Sequence, residues 1–224
     1  MFVQVRYFGY VLCHLKESAV MIQAICFDLD GVLRLWDGRL VAQIEQESGL
    51  PRGTIHTIAF EPTLLEQAIT GRISDDVWRD AIAERLYQQF PALTAAHAQT
   101  LIRRWSSSVG AVDEDVLAIV RECRRRVRVL LVTNATLRLS SDLACLGVDS
   151  EFDAIINSAE LGWRKPQREL FHAVIDQAGV EASHILFVDD TPENVKAAEE
   201  AGLVGHLYRD ALELHDIVQR YGVL

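Results

Sequence analysis

The chain has 224 residues, of which 50% are hydrophobic and 24% are charged, a composition typical of a globular protein and not of a disordered one. This length allows one large domain, or a core domain with a modest insertion. The 22 basic and 32 acidic residues give a formal net charge of -10, which argues against nucleic acid as a partner because binding a polyanion needs excess positive charge.

The cysteine pattern favours reduced thiols and a cytoplasmic location. Cys13, Cys26, Cys123 and Cys145 are scattered and form no CxxC pair or zinc-type spacing.

No apolar stretch approaches the roughly 18 residues of a membrane span, so we expect no membrane partner. Residues 1–20 lack the basic leader, continuous apolar segment and cleavage site of a signal peptide. We therefore expect an N-terminal extension there, whose order the sequence leaves open.

The first predicted element is a buried strand over residues 22–27, and two carboxylates follow it at Asp28 and Asp30. Ligands of parallel α/β sheets bind at the carboxyl ends of strands, so this position suggests a functional site. Residues i and i+2 of an extended segment point the same way, so both acids can converge on one reacting centre. Their mutual repulsion calls for a cation or a shared proton.

The next stretch, from about residue 40 to residue 126, shows helical patterns but no convincing strand. Proline and glycine residues separate the predicted helices, which are Leu40–Ser48, Thr63–Thr70, Asp75–Gln89, Thr94–Ser106 and Asp113–Arg126. We expect the last of these to lead back into the core. The sequence thus predicts a helical insertion over residues 40–110 in a core formed by residues 21–39 and 111–224.

The remaining sequence alternates between strands and helices. Apolar runs that end in polar residues predict buried parallel strands at 127–132, 154–156 and 185–188. Proline and glycine signals help to place the predicted helices, which are Leu137–Leu146, Pro166–Ala178 and a segment from Pro192 to just before Gly202. This alternation predicts an α/β fold, a doubly wound Rossmann-like parallel sheet with the helical segment inserted into it.

Four short motifs lie just beyond these strands or at helix starts. They are Asp28-Leu29-Asp30-Gly31, Thr133-Asn134, Lys165-Pro166 and Asp189-Asp190. Their order and setting resemble the four signature motifs of the haloacid dehalogenase-like (HAD) hydrolase superfamily, over about residues 22–208. The long gap between the first two motifs resembles the helical-cap-1 subclass, which implies that the insertion over residues 40–110 is a helical cap. The tract 161–166, with 187–190 and Asn194, is most similar to sugar-phosphate phosphatases such as α-D-glucose-1-phosphate phosphatase.

The resemblance implies a magnesium-dependent phosphatase that hydrolyses a small phosphorylated metabolite, with a sugar phosphate as the expected substrate. Asp28 would be the nucleophile that forms an aspartyl-phosphate, and Asp30 the general acid and base. Mg²⁺ would be held by Asp28, the Asp30 carbonyl and Asp190, since this hard cation prefers oxygen ligands.

The other motif residues would support these two acids. Thr133, Asn134 and Lys165 are expected to bind the phosphate group through hydroxyl, amide and ammonium donors. Asp189 is expected to hold a metal-bound water, and Asn194 to brace the fourth motif from one helical turn further on.

Arg34 and Trp36, which come after the first motif, occur where family members carry a flap that faces the cap. Either of them could therefore contact the leaving group of the substrate.

Each motif has a structural alternative, because acidic turns, helix caps and solvated loop lysines are common. Three functional alternatives also stay open. A 2-haloacid dehalogenase shares the nucleophile but generally lacks an acid at the position of Asp30. A phosphosugar mutase differs only in the fate of the aspartyl-phosphate. A catalytically silent binding module would keep the fold alone. The sequence leaves the oligomeric state open.

Overall fold

A computed structural model describes residues 21–224, so the predicted extension over residues 1–20 lies outside the described residues. The strands, in chain order, are β1 (Ala24–Phe27), β2 (Arg34–Leu35), β3 (Ala111–Val112), β4 (Arg128–Thr133), β5 (Ala154–Asn157), β6 (Ile185–Asp189) and β7 (Val204–Leu207). Five of them form one parallel sheet in the order β5-β4-β1-β6-β7, and β2 pairs with β3 as a separate antiparallel ribbon.

The four predicted strands correspond to β1, β4, β5 and β6, with ends that differ by one or two residues. Strand β7 was not predicted, because it is short, half-buried, contains a glycine and lies at the sheet edge. The expectation of no strand between residues 40 and 126 was wrong for β3. This two-residue strand has no apolar run of its own and exists because it pairs with β2.

The described residues contain eleven α-helices and one 3₁₀ turn at Ala182–His184. The helices are α1 (Arg39–Glu47), α2 (Thr54–Ala59), α3 (Pro62–Ile69), α4 (Asp75–Gln89), α5 (Ala95–Trp105), α6 (Glu114–Arg124), α7 (Leu139–Leu146), α8 (Ser158–Leu161), α9 (Arg168–Ala178), α10 (Pro192–Glu200) and α11 (Ala211–Arg220). Eight of them match the predicted helices to within two residues at each end, a difference within the usual uncertainty of helix limits.

Three helices, α2, α8 and α11, were not predicted. The six residues of α2 and the four of α8 are too short to show a helical period. The helix predicted to begin at Pro166 begins at Arg168, because a turn precedes it in which the Gln167 amide donates to the Arg164 carbonyl at 2.7 Å.

Both faces of the parallel sheet are covered by helices, which confirms the predicted doubly wound α/β fold. Successive residues of a strand face opposite sides. In β1, Ile25 and Phe27 belong to one hydrophobic cluster with residues of α6 and α11, whereas Ala24 and Cys26 belong to another with residues of α9 and α10. Strands β4 and β6 alternate in the same way. Cys26, Cys123 and Cys145 are free thiols.

A third hydrophobic cluster is formed entirely by residues between Ile44 and Ile102, from α1 to α5. Ser74 and Thr94 cap the longest two of these helices, α4 and α5, by accepting backbone N–H donors. The segment that contains this cluster is connected to the rest of the chain through the β2–β3 ribbon. No helix within residues 21–224 has both the length and the apolar character that crossing a bilayer requires.

Candidate active site

The candidate site lies at the carboxyl end of β1, in the middle of the sheet. Strand β1 pairs with β4 on one side and with β6 on the other, and the order continues outward to β5 and β7. Open α/β sheets bind ligands at such a point, where the strand order reverses. Three of the four predicted motifs follow β1, β4 and β6 directly, so the fold brings them together here.

The remaining motif, Lys165-Pro166, reaches the same place through the long side chain of Lys165. Its ammonium lies 2.7 Å from Asp28 Oδ1 and 2.7 Å from Asp189 Oδ2, and it donates to the Val132 carbonyl at 3.1 Å. A lysine has three N–H donors, so these contacts occupy all of them. Burial opposes the charge of Lys165, but Asp28 and Asp189 outweigh it and raise the pKa of the lysine. Lys165 is therefore a charged partner of two buried acids.

The backbone of Lys165 is fixed by Asn134. The Lys165 amide donates to Asn134 Oδ1 at 2.8 Å, and Asn134 Nδ2 donates to the Lys165 carbonyl at 3.0 Å. Both ends of the Asn134 amide are thus used to hold the lysine. Thr133 lies beside this clamp, buried at the end of β4 and in register with Asn157 of β5. The second predicted motif is therefore linked to the acids through the contacts of Asn134 with Lys165.

Asp189 is fully buried and surrounded by donors. Besides Lys165, it accepts the Thr191 amide at 2.9 Å and Asn194 Nδ2 at 3.0 Å. Asn194 is itself buried, and its hydrogen bond to Asp189 is the contact that its predicted bracing role requires. The hydrogen-bonding capacity of Asp189 is therefore largely used within the protein.

Asp190, the neighbouring acid, is exposed and packs against the backbone of Gly31. A Cβ atom added to Gly31 would lie 2.0 Å from Asp190 Oδ2, and the φ angle of Gly31 is +82°. Both the close approach and the left-handed backbone require glycine. The first and fourth motifs therefore touch directly through Gly31.

Asp28, Asp189 and Asp190 each offer a carboxylate oxygen, and these atoms all lie within 4.8 Å of one another. Burial raises the pKa of Asp28 to about 7, although Lys165 acts in the opposite direction, and Asp189 raises it further. Three carboxylates against one ammonium leave excess negative charge. The donor set is oxygen alone, which suits a hard divalent cation such as Mg²⁺ better than a softer metal. These residues therefore fit the magnesium that the sequence predicts.

The carboxylate of Asp30 contacts two residues that follow it in the chain, Arg34 of β2 and Trp36. Arg34 contacts both of its oxygens, with Nε 2.6 Å from Oδ1 and Nη2 2.8 Å from Oδ2. Trp36 Nε1 also donates to Oδ1 at 2.6 Å. The expectation that Arg34 and Trp36 contact the leaving group stays a prediction; in the structure both contact Asp30.

Sequence reasoning did not identify the residues that hold Arg34. Arg34 Nη1 lies 3.4 Å from Asp142 Oδ2, and Asp142 is paired with Arg138 on the same side of α7. The i,i+4 spacing of Arg138 and Asp142 is a signal for an ion pair, but it gives no indication of the contact with Arg34.

The helices between residues 39 and 105 contact the core next to this site. Thr136, which follows β4, donates its hydroxyl to Asp75 Oδ1 at 2.7 Å. Ser158, which follows β5, donates to the Ile69 carbonyl at 2.5 Å. Since both core residues follow the carboxyl ends of strands, α3 and α4 lie at the edge of the sheet where the acids meet.

Comparison with known proteins agrees with this arrangement. A family model described as haloacid dehalogenase-like hydrolase matches residues 22–202. A sesquiterpene phosphatase of Aspergillus oryzae is 28% identical over 194 residues, which cover 85% of this chain and 91% of the relative.

Two solved structures are similar in fold. One is a HAD family enzyme of Bacteroides thetaiotaomicron in complex with magnesium and inorganic phosphate, 22% identical, with a TM-score of 0.67 over 84% of this chain and 94% of that one. The other is the L-2-haloacid dehalogenase of Xanthobacter autotrophicus with chloropropionic acid covalently bound, 22% identical, with a TM-score of 0.59 over 82% of this chain and 76% of that one.

Proposed function

The chain belongs to the haloacid dehalogenase-like hydrolase family, and on that basis we propose that it is a magnesium-dependent phosphatase of a small phosphorylated metabolite. The observation that carries the proposal is the position of the Lys165 ammonium, 2.7 Å from both Asp28 and Asp189 at the carboxyl end of the central strand. A phosphoryl group brings negative charge and needs positioning and neutralisation, which the lysine and a cation held by the acids would supply.

We assign the nucleophile to Asp28. Its Oδ1 is held by Lys165 and by the Leu29 amide, at 2.7 Å and 2.6 Å, so Oδ2 is the oxygen that we assign to the attack. In the first step a bond forms between Asp28 and phosphorus, the bond to the leaving oxygen breaks, and Asp30 gives that oxygen a proton. This step divides one difficult displacement into two easier ones.

The second step regenerates the free carboxylate. Water attacks phosphorus and gives a proton to Asp30, while the bond between phosphorus and Asp28 breaks and inorganic phosphate leaves. Asp30 therefore serves as acid in the first step and base in the second. Its position on the loop next to Asp28, three residues beyond β1, is compatible with both roles.

We assign magnesium to Asp28, Asp190 and the Asp30 carbonyl. Asp190 is exposed and Asp189 is largely occupied by its protein donors, which supports Asp190 as the direct ligand and Asp189 as the supporting acid. The bound cation would neutralise charge on the transferred group and on the crowded acids. Thr133, Asn134 and Lys165 remain our candidates for the phosphate site, with Lys165 acting there through its charge because its donors are occupied.

We infer that residues 40–110 act as a cap on a core of residues 21–39 and 111–224. The separate hydrophobic cluster of the insertion and its contacts through Asp75 and Ile69 support this division. Because a cap limits what reaches the acids, we propose a small substrate, and a sugar phosphate as its class. The similarity to the sesquiterpene phosphatase supports phosphate-ester chemistry and gives sesquiterpene phosphates as a second substrate class to test.

The test is phosphate release by the purified protein from a panel of sugar phosphates, other alkyl phosphates and p-nitrophenyl phosphate. We expect release with magnesium, no release in EDTA, and poor restoration by calcium because its coordination is larger and looser. Full activity in EDTA would show that phosphate release does not need a metal ion. Activity toward no phosphate ester, with halide release from 2-chloropropionate, would favour a dehalogenase.

The remaining alternatives are separated by products. A phosphosugar mutase would convert one sugar phosphate isomer into another without net phosphate release, and a silent binding module would do neither. Asp30 favours the phosphatase over the dehalogenase, since dehalogenases of this family generally lack an acid at this position.

A further inference from the structure

Arg34 is an almost fully buried cation between two acids. Its side chain is 5% exposed. It forms a two-point contact with Asp30, and its third nitrogen, Nη1, lies 3.4 Å from Asp142 Oδ2. Both acids are therefore tied to one guanidinium, whose planar shape fixes the direction of each contact.

Asp142 is held in turn by Arg138. Arg138 Nε and Nη2 lie 2.8 Å and 3.3 Å from the two oxygens of Asp142. The same guanidinium donates to the Ser106 carbonyl at 2.7 Å and to the Ser108 carbonyl at 3.4 Å. Charges of alternating sign therefore connect Asp30 with the segment in which the chain returns from the insertion to the core.

The backbone also restricts Arg34. Gly110 lies against its side chain, and a Cβ atom added to Gly110 would lie 2.9 Å from Arg34 Cγ. Arg34 is paired with Val112 in the β2–β3 ribbon, and its guanidinium carbon lies 4.6 Å from the centre of the Trp36 ring. The returning segment thus packs directly against the residue that holds Asp30.

The direction of Asp30 is not set by the sheet. Asp28 directly follows β1 and its amide donates to the Val188 carbonyl, whereas Asp30 lies outside the parallel sheet and forms an isolated β-bridge with Arg34. Its orientation therefore depends on the donors that contact its carboxylate. Arg34 and Asp142 are the buried members of this series, with side chains 5% and 12% exposed, and a buried charge is costly to desolvate unless it is paired, so the position of Arg34 depends on both of its acids.

We propose that Arg34 is a positioning residue for Asp30, and that Asp142 and Arg138 fix the position of Arg34. The contacts of Arg138 with the Ser106 and Ser108 carbonyls then make the orientation of the acid depend on the segment that joins the insertion to the core. This inference rests on the proposed function, in which Asp30 transfers the proton.

The test compares two substrates whose need for an acid differs. An alkyl phosphate has a poor leaving group that must be protonated, whereas the p-nitrophenolate of p-nitrophenyl phosphate leaves without a proton. The probes are p-nitrophenyl phosphate and the alkyl phosphate of the panel above that the wild-type protein hydrolyses fastest.

Asp142→Asn should lower kcat for the alkyl phosphate about 10- to 100-fold, while kcat for p-nitrophenyl phosphate stays within about twofold and KM changes little. Arg34→Lys keeps the charge but loses the two-point contact, and should give the same selective loss. The matched control is Asp153→Asn, which removes an arginine-paired acid at the opposite end of β4 and should leave both rates unchanged.

Equal losses on both substrates, or no loss on the alkyl phosphate in a variant that melts like the wild type, would overturn the positioning role. If Asp142→Asn does not fold, Arg34→Lys gives the same decision. Wild-type protein that releases phosphate from neither substrate would instead refute the proposed function.

Discussion

The two acids of the first motif, only two positions apart, have very different surroundings. Asp28 is 6% exposed and contacts Lys165, which is itself buried and held by Asn134. The side chain of Asp30 is 39% exposed and is held by Arg34 of β2, four residues further along the chain. The first acid is thus fixed by the sheet, and the second by side chains that lead to the insertion.

This difference indicates that the two acids have different roles in the proposed reaction. An acid that bonds to phosphorus needs a fixed position relative to the metal and phosphate sites, and the central strands of a sheet provide it. An acid that must give a proton to one oxygen and later take a proton from another needs a defined orientation outside the sheet, which the contacts with Arg34 provide. The surroundings of Asp28 and Asp30 match these two requirements.

The strongest test of the comparison is Asp28→Asn. We expect kcat to fall by about 10⁴-fold or more, because the amide oxygen of asparagine is a far weaker nucleophile than a carboxylate. Phosphate release is the measurement, and circular dichroism should show an unchanged fold. Near-normal phosphate release would refute the nucleophile assignment.

Removing the buried ammonium should produce the largest loss of stability. We expect Lys165→Met to lower the free energy of unfolding by about 3–5 kcal/mol, because it leaves Asp28 and Asp189 buried without a cation. Urea unfolding measures this effect. Lys196→Met is the matched control on the exposed surface, where its ion pair with Glu200 should contribute less than about 1 kcal/mol.

The double variant Lys165→Met with Asp28→Asn should recover part of that stability, since it removes one of the unpaired charges. A Lys165→Met protein as stable as the control would show that the buried acids do not depend on the lysine.

Asp30→Asn should affect activity less than Asp28→Asn and in a substrate-dependent way. We expect kcat to fall about 10²-fold for an alkyl phosphate and much less for p-nitrophenyl phosphate, which needs no acid. Asp37→Asn, an exposed acid of the same loop, is the control and should leave both rates near normal. Equal losses on both substrates would argue against Asp30 as the acid.

The smallest expected effect is on the pH dependence of stability without metal. The pKa of Asp28 is raised by burial from an ordinary value of 3.8 to about 7, so the folded protein binds more protons than the unfolded chain between these values. In EDTA the free energy of unfolding should therefore fall as the pH rises from about 4 to about 7, by on the order of 1–3 kcal/mol. Urea titrations at several pH values should show that the free energy of unfolding changes less with pH in Asp28→Asn than in the wild type. An identical pH dependence would contradict the raised pKa of Asp28.

The sequence predicted the half of the site that lies on the sheet. Asp28, Thr133 and Asp189 each end or follow an apolar run that is visible as a buried strand, and parallel strands bring their carboxyl ends to one edge. Strand β7 was missed because a half-buried edge strand of four residues gives no such run.

The other half depends on contacts between distant positions. Arg34 and Asp142 are 108 positions apart, and no local pattern indicates that they meet. Lys165 was expected at the phosphate, and only the path of its side chain shows that all three of its donors are occupied. Long side chains can reach several partners, so their contacts follow from tertiary packing.

The β2–β3 ribbon has a consequence for how this protein can be rebuilt. Leu35 and Ala111 stand opposite each other in it, and antiparallel neighbours can be joined by a two-residue hairpin. Residues 36–110 can therefore be excised as a cassette and replaced by a short turn, with every strand of the parallel sheet retained. The shortened protein would also lose the Ser106 and Ser108 carbonyls that bind Arg138, so it should hold Asp30 less firmly and act more slowly on alkyl phosphates.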